Sequence, residues 1–202
     1  MAPMMDIAAL IQQCAPAVAP TVVEAIMRTE SGFDPLSLHI NGGVRLRSPP
    51  RTAAQAAAWS QWLIDRGYSV DMGLMQINSG NLASLGLTPA DAFDSCQNIR
   101  AGAAILSRHY KLAARAHGGG TGTLLKAISA YNTGTLNGGF GNGYVGRVVL
   151  NLSGVSRARL GLGDLICSLT YCGARVARSG VTDPYTADSV VSRFRGGVQP
   201  HQ

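Results

Sequence analysis

The sequence predicts a mainly α-helical domain over residues 1–153, followed by a basic extension over 154–202. Apolar residues make up 46% of the 202 residues, which is enough to build a core. Runs with helical apolar spacing alternate with glycine, proline and asparagine signals. Beyond the domain the periodicity weakens and arginines accumulate. A minor β-hairpin near 39–47 is the single candidate for β structure, so the class is mainly α with a small β component.

The first part of the chain predicts two short helices and a loop. A helix over 5–13 is broken by the proline-containing segment that follows it. A second helix is expected to begin at Thr21, because Thr21 and Glu24 have the spacing of a capping box. Gly32 is expected to end this helix. Residues 33–50 contain Asn-Gly and Pro-Pro turn signals and predict a loop.

The remainder of the domain predicts four further helices, each with a polar residue or a glycine at its boundaries. In order, the expected elements are a helix over 52–66, a turn and short helical segment over 71–87, a long helix capped by Asp94 with Gln97 at the box position, a helix from Thr123 to Gly134, a glycine-rich loop over 137–143 and a helix over 144–152.

The charge balance indicates an anionic neighbour. The formal net charge is +6, and only Lys111 and Lys126 among the basic residues are lysines. The basic residues are scattered without interleaved aromatics, so we expect no nucleic-acid partner. No stretch of about twenty uninterrupted apolar residues predicts a membrane span. The first twenty residues lack a basic start and do not resemble a signal peptide, so an export leader is expected outside this numbering.

Four cysteines are present, and they form no CxxC pair; the four histidines form no HExxH motif. We therefore expect no metal and no cofactor. The even number fits two disulfides in an oxidising compartment, and it also fits four buried free thiols. The count alone leaves three possible connectivities open.

The acidic residues single out Glu30. The chain has only two glutamates, and Glu24 is assigned to the capping box. Glu30 lies in the last turn of its helix, beside the negative end of the macrodipole, where a carboxylate is disfavoured. Burial there would also raise its pKa and make it a general acid near neutral pH. The alternative is a solvated glutamate at a helix end.

Three motifs occur in a fixed order: Glu-Ser-Gly-Phe-Asp-Pro at 30–35, Gly-Leu-Met-Gln-Ile at 73–77 and Ala-Tyr-Asn-Thr-Gly at 130–134. Together they resemble the lytic transglycosylase (SLT) domains of the lysozyme superfamily. The longer runs around the second and third motifs are similar to the VirB1 proteins of type IV secretion systems. The resemblance covers roughly residues 10–150, and it implies a lysozyme-like fold.

The resemblance implies a role for each matching residue. Glu30 would protonate the glycosidic oxygen between MurNAc and GlcNAc and then act as a base. The Tyr131 hydroxyl would contact the Glu30 carboxyl and orient it. Gln76 and Asn132 would line the sugar cleft, and Met75 would form an apolar wall under the sugar. For Tyr131 and Met75, ordinary core packing is the alternative.

Two more residues complete the expected substrate-binding set. Ser31 follows the catalytic glutamate within the first motif. His39 stands nine residues after Glu30, where many family members carry a serine that polarises the N-acetyl group of the substrate. His39 would either replace that serine as a donor or cap the loop.

The family resemblance implies a one-carboxylate reaction that ends in a 1,6-anhydroMurNAc product. A lysozyme-type hydrolase would instead need a second carboxylate, and Asp71 is the better candidate for it. A third possibility is a peptidoglycan-binding assembly protein in which catalysis is secondary. These three possibilities stay open on the residues alone.

The resemblance also places the protein in the periplasm, with glycan strands of peptidoglycan and type IV secretion subunits as partners and a monomer as the default state. Within the family-like region we predict a Cys14–Cys96 disulfide between the first helix and the long helix. Cys167 and Cys172 are the candidates for a second pair.

Overall fold

The computed structural model describes residues 7–152, and the predicted extension over 154–202 and its two cysteines lie outside this range. Helices predominate, as the sequence predicts. The described elements are, in order, α1 (Ile7–Cys14), α2 (Pro20–Glu30), β1 (Leu38–Ile40), α3 (Ala53–Ile64), β2 (Val70–Met72), β3 (Ile77–Asn78), a 3-10 turn (Ser79–Asn81), α4 (Leu82–Leu85), α5 (Pro89–Ala92), α6 (Ser95–His117), α7 (Thr121–Thr133), α8 (Gly138–Gly141) and α9 (Tyr144–Leu152).

The long helix α6 forms the centre of the helical body. Its apolar stripe, which includes Ile99, Leu106 and Tyr110, is buried, and α1 and α7 pack against it. Helix α2 packs instead against α9, which is more than a hundred residues away in sequence. This second contact matters for function because it brings the end of α2 beside the start of α9.

Of the three predicted caps, Asp94 is confirmed, and the helix predicted to start at 52 does begin there. Thr52 accepts a hydrogen bond from the Gln55 amide at the start of α3, and Asp94 accepts one from the Gln97 amide at the start of α6. The Gln97 side chain does not close the second half of a box, since it donates to an Asp91 carboxylate oxygen. The predicted helix starts at 52–53 and 94–95 are therefore confirmed.

The capping box predicted at Thr21 is wrong. Helix α2 has Ala19 as its N-cap and Pro20 in its first turn, so no side chain caps it. Proline suits that position because its fixed φ angle is helical and the N–H that it lacks would have no partner there. Glu24 instead accepts a hydrogen bond from Arg28 one turn later, at 2.9 Å.

Helix α7 likewise begins earlier than predicted. Its first residue is Thr121 and its N-cap is Gly120, while the hydroxyl of Thr123 donates to the Gly118 carbonyl at 2.7 Å. The predicted end at Gly134 is confirmed, with a φ of 72°.

The β structure is a three-stranded antiparallel sheet in the order β1-β2-β3. The predicted hairpin near 39–47 is wrong, because β1 pairs with β2 across an insertion that contains α3. In this register His39 lies opposite Asp71. A local turn signal could not reveal this pairing, since the two strands are about thirty residues apart in the chain.

Cys14 at the end of α1 is disulfide-bonded to Cys96 at the start of α6, with 5.2 Å between their Cα atoms. The predicted pairing is confirmed. In the described range 7–152 no helix is long and apolar enough to cross a membrane.

Candidate active site

A cavity of about 840 Å³ lies between the helical body and the small sheet. Polar side chains dominate its lining. They come from the end of α2, from all three strands, from α6 and from the end of α7. The residues that line it include Glu30, Ser37, His39, Asn41, Ser69, Asp71, Gln76, Asn78, Asn81, Arg108, His109, Tyr131 and Asn132. The three sequence motifs therefore meet at one cavity.

Glu30 is the last residue of α2, and its carboxyl faces this cavity. The pKa of Glu30 is raised to about 7, and desolvation by burial is the largest cause. The negative charge of Asp71 also raises the pKa, whereas Tyr144 and the positive charge of Arg147 oppose the rise. The protonated form of Glu30 is therefore far more populated near neutral pH than that of an ordinary glutamate. This is the state that a general acid needs.

Tyr144 orients the Glu30 carboxyl. This residue begins α9, is 2% exposed, and donates its hydroxyl proton to Glu30 Oε1 at 2.5 Å. Burial and the neighbouring negative charge raise the pKa of Tyr144. The hydroxyl therefore stays protonated and remains a donor. The Arg147 guanidinium lies 5.7 Å from the Tyr144 ring centre, which places a positive charge behind this pair.

The expectation that the Tyr131 hydroxyl contacts Glu30 is wrong. That hydroxyl donates to the Met75 carbonyl at 2.7 Å, so it links α7 to the loop of the second motif. Burial and the charges of Glu30 and Asp71 raise the pKa of Tyr131, so Tyr131 also stays neutral. Tyr131 does line the cavity, and its fixed hydroxyl ties the third motif to the second.

The second motif is a tight loop built around Asn98 of α6. The buried Asn98 side chain accepts a hydrogen bond from the Met75 amide at 2.8 Å and donates to the carbonyls of Met72 and Ala92. Gly73 has a φ of +73°, and a Cβ there would lie 2.4 Å from Asn98 Nδ2. No other residue type fits this position without displacing backbone or Asn98.

Gln76 lies at the cavity end of this loop. Its φ of 48° is unusual for a residue with a side chain. Two hydrogen bonds from Gln76 Nε2, to the carbonyls of Gly73 and Ser37, hold the side chain in place. Such backbone strain is typical of functional loops. Gln76 thus lies where the sequence predicts, on the cavity wall.

Ser31 and Met75, by contrast, are not among the residues that line the cavity. The Ser31 hydroxyl bonds to the carbonyls of Met27 and Leu74, at 3.2 and 2.7 Å. The Met75 side chain is fully buried, against the face of α6 at Gly102. The contacts of Ser31 and Met75 therefore hold the end of α2 and the loop of the second motif in place beside each other.

A polar cluster forms the sheet side of the cavity. The Asp71 carboxylate accepts hydrogen bonds from Asn41 Nδ2 at 2.9 Å and from Asn78 Nδ2 at 2.6 Å. The same two amide groups contact the Ser69 hydroxyl. These donors fix both Asp71 oxygens. His39 is exposed in the cavity wall beside this cluster, opposite Asp71 in the β1–β2 register.

Asn132 lies on the opposite side, at the end of α7. Its side-chain oxygen accepts a hydrogen bond from Asn142 Nδ2 at 2.9 Å. This contact with the glycine-rich segment fixes the orientation of the Asn132 side chain. The side-chain oxygen of Asn142 also accepts a hydrogen bond from the backbone amide of Tyr144. The loop over 137–143 thereby couples the Asn132 side chain to the helix that carries Tyr144.

Sequence reasoning missed Tyr144 and Arg147. The sequence predicts a helix over 144–152, and its tyrosine is indistinguishable from a core residue on that basis. The contact with Glu30 spans 114 positions, which no local pattern encodes. The sequence signal for Tyr144 was its position directly after a glycine-rich segment and one helical turn before Arg147.

Residues 8–147 match the family described as "Transglycosylase SLT domain", and the chain belongs to this family. The fold is thus the lysozyme-like one that the resemblance implied. Among individual proteins, the chain is 42% identical to the protein virB1 of Agrobacterium fabrum over 143 residues, which cover 68% of this chain and 55% of that protein.

Two further relatives give the same picture. The type IV secretion system protein virB1 of Brucella abortus is 39% identical over 138 residues, which cover 68% of this chain and 58% of the relative. The protein virB1 of Rhizobium radiobacter is 43% identical over 143 residues, which cover 68% of this chain and 56% of the relative. The chain spans little more than half the length of these curated relatives.

Proposed function

We propose that the protein is a peptidoglycan lytic transglycosylase that cleaves the β-1,4 bond between MurNAc and GlcNAc and leaves a 1,6-anhydroMurNAc end. The observation that carries the proposal is the Glu30 carboxyl. It lies in a large polar cavity, is held by Tyr144, and has a pKa of about 7. A carboxylic acid of this kind can donate a proton at neutral pH and take one back.

In the first step, Glu30 donates its proton to the glycosidic oxygen, and the bond from that oxygen to the anomeric carbon breaks. The carbonyl of the substrate's own N-acetyl group stabilises the positive charge that develops on the sugar. The hydroxyl of Tyr144 keeps one carboxyl oxygen occupied and leaves the other for this transfer. The same hydroxyl stabilises the carboxylate that results.

In the second step, the Glu30 carboxylate removes the proton of the MurNAc 6-hydroxyl, and that oxygen bonds to the anomeric carbon. Glu30 returns to its protonated state, and no water is consumed. A single carboxyl therefore performs both proton transfers. General acid–base catalysis of this kind contributes about 10²–10⁴-fold, and positioning of the strand in the cavity has to supply the rest.

The residues around the cavity take supporting roles in this proposal. His39, Gln76 and Asn132 contact the sugars, with His39 as a hydrogen-bond donor to the N-acetyl group. Ser31 and Met75 act as positioning residues, because their contacts fix the end of α2 and the loop of the second motif. Tyr131 connects that loop to α7.

Asp71 contributes charge rather than a covalent bond. Asn41 and Asn78 hold its two oxygens, and the negative charge of Asp71 helps to keep the Glu30 proton in place. A hydrolase of lysozyme type would use Asp71 as a nucleophile or base instead. The two chemistries are distinguished by their products, since hydrolysis leaves a reducing sugar end.

For the cellular context, we propose local opening of the cell wall where type IV secretion or conjugation machinery assembles. The similarity to VirB1 proteins supports this setting, and so does the net charge of +6, which suits an anionic wall polymer. We place the protein in the periplasm and treat it as a monomer with a catalytic domain over 1–153 and a basic extension over 154–202. Subunits of the secretion system are the proposed partners.

Mass spectrometry of muropeptides released from purified peptidoglycan tests this function. We expect anhydro products from the native protein and none from the Glu30→Gln variant, which keeps the shape of the side chain without the acid. Glu24→Gln is the matched control, since Glu24 lies on the surface side of α2 and its ion pair among residues 7–152 is with Arg28. Reducing-end products would instead favour the hydrolase, and release of sugars by Glu30→Gln would remove the catalytic assignment. Retention of secretion-machine assembly without catalysis would favour the scaffold role.

A further inference from the structure

A second cavity of about 420 Å³ adjoins the first one. Both are lined by the same three residues, Ser37, Leu38 and His39, which lead into and form strand β1. The far wall of the second cavity is the segment over 44–50, which follows the glycine turn at 42–43. The two cavities are therefore neighbours that share the wall formed by residues 37–39.

The chemistry of the second cavity differs from that of the first. Its walls are mainly apolar and include Leu36, Val44, Leu46 and Pro49. Val44 is 43% exposed, so its side chain is accessible to a group bound in this cavity. This compartment would shelter small aliphatic groups from water, whereas the first cavity offers amides and hydroxyls to sugar hydroxyls.

Two charged residues complete the lining of the second cavity, Arg45 and Asp34. Within residues 7–152 neither of them takes part in a salt bridge. Asp34 uses one carboxylate oxygen to accept the Leu36 amide at 2.9 Å, and this hydrogen bond fixes its direction. An arginine guanidinium binds carboxylates through paired N–H groups. A ligand with carboxylates, small aliphatic groups and an ammonium group would match this arrangement.

We propose that the second cavity binds the stem peptide of the substrate, an acidic, alanine-containing peptide attached to the lactyl group of muramic acid. The peptide carboxylates would face Arg45, the alanine methyl groups would pack on the Leu36, Val44 and Leu46 wall, and a peptide ammonium group would face Asp34. The inference rests on the proposed function, because the peptide enters this cavity only when its sugar lies in the first. It makes the enzyme selective for glycan strands that still carry peptides.

The shared wall of the two cavities supports this occupant over an unrelated ligand. The peptide is covalently linked to the sugar ring, so binding one part raises the local concentration of the other. His39, which lines both cavities, would lie at the junction where the lactyl group leaves the ring. Pro49 and Pro50, whose φ angles are fixed by their rings, form a rigid part of the second cavity's wall.

The test compares two substrates for each variant: glycan strands that carry stem peptides, and the same strands after an amidase has removed the peptides. We expect the native protein to cleave the peptide-bearing strands with the higher kcat/KM. In Arg45→Gln we expect the ratio of the two kcat/KM values to fall about fivefold, as for loss of one solvent-accessible ion pair, with the change mainly in KM. Arg45 is exposed, so this substitution should leave the fold intact, and circular dichroism checks the folding of the variant.

Arg47→Gln is the matched control, because Arg47 lies two residues further along the same segment, is exposed and lines neither cavity. Its substrate ratio should equal that of the native protein. Three results would overturn the inference: no preference in the native protein, an unchanged ratio in Arg45→Gln, or an equal fall in both variants, which would reflect general charge attraction. In each of these cases Glu30-dependent cleavage of denuded strands persists if the proposed function is right, so the two failures are separable.

Discussion

Replacing Tyr144 with phenylalanine removes the hydroxyl that donates to Glu30 Oε1 at 2.5 Å, while the buried ring stays in place. This hydrogen bond favours the carboxylate and lowers the pKa of Glu30, so its loss must raise the pKa above the native value of about 7. A hydrogen bond to a charged group contributes about 1.5–3 kcal/mol. At about 1.4 kcal/mol per pKa unit, this corresponds to a rise in the pKa of Glu30 of roughly one to two units.

The assay is kcat/KM measured against pH on soluble glycan fragments. The fall of kcat/KM at high pH reports the ionisation of the essential acid in the free enzyme. We expect this limb near pH 7 in the native protein, and at a higher pH in Tyr144→Phe. The maximal rate should also fall, because the carboxyl loses the contact that orients it.

Tyr131→Phe is the control for this experiment. It removes a hydroxyl from the same cavity, but one that donates to the Met75 carbonyl rather than to Glu30. The high-pH limb of this variant should stay at the native position, whatever the change in rate. The reasoning is refuted if the limb in Tyr144→Phe stays in place or moves to lower pH.

Three further variants test other parts of the structure. Asp71→Asn removes the charge that raises the pKa of the catalytic acid, so the high-pH limb should move to lower pH while the anhydro product is kept; a switch in product would contradict the role given to Asp71. Gly73→Ala should cost about 3 kcal/mol or more in urea unfolding, against about 1 kcal/mol for Gly86→Ala, because both have positive φ but only Gly73 lacks room for a Cβ. Replacing Cys14 and Cys96 together with serine should cost about 3–4.5 kcal/mol in the same assay, from the 82-residue separation; an unchanged urea midpoint would argue against the disulfide.

The helical framework was predictable because its signals are local. Apolar spacing locates α6, the Asp94 cap marks its start, and Gly134 marks the end of α7. The error at Thr21 has a physical cause, since proline at the preceding position already begins the helix and leaves the hydroxyl no capping role. Where two local signals compete, the spacing of side chains alone does not decide between them.

The sheet and half of the active site were not predictable, because they depend on contacts between distant parts of the chain. Strand β1 finds its partner across the α3 insertion, and only this pairing puts His39 opposite Asp71. The tyrosine at Glu30 was assigned to the third motif, yet the α2–α9 contact brings Tyr144 there instead. Glu30 could be proposed as the catalytic residue from the sequence, since the three motifs single it out, whereas its position at a helix end left a solvated glutamate as the alternative.

The state of the Glu30 carboxyl is the central claim, and a direct titration tests it. Carbon-13 NMR of protein labelled at glutamate carboxyls gives only two side-chain signals, from Glu24 and Glu30, and Glu24→Gln assigns them. The account predicts that the Glu30 signal titrates with a midpoint of about 7. A midpoint near the ordinary glutamate value of about 4.3, in a protein that still cleaves glycan strands, would contradict it.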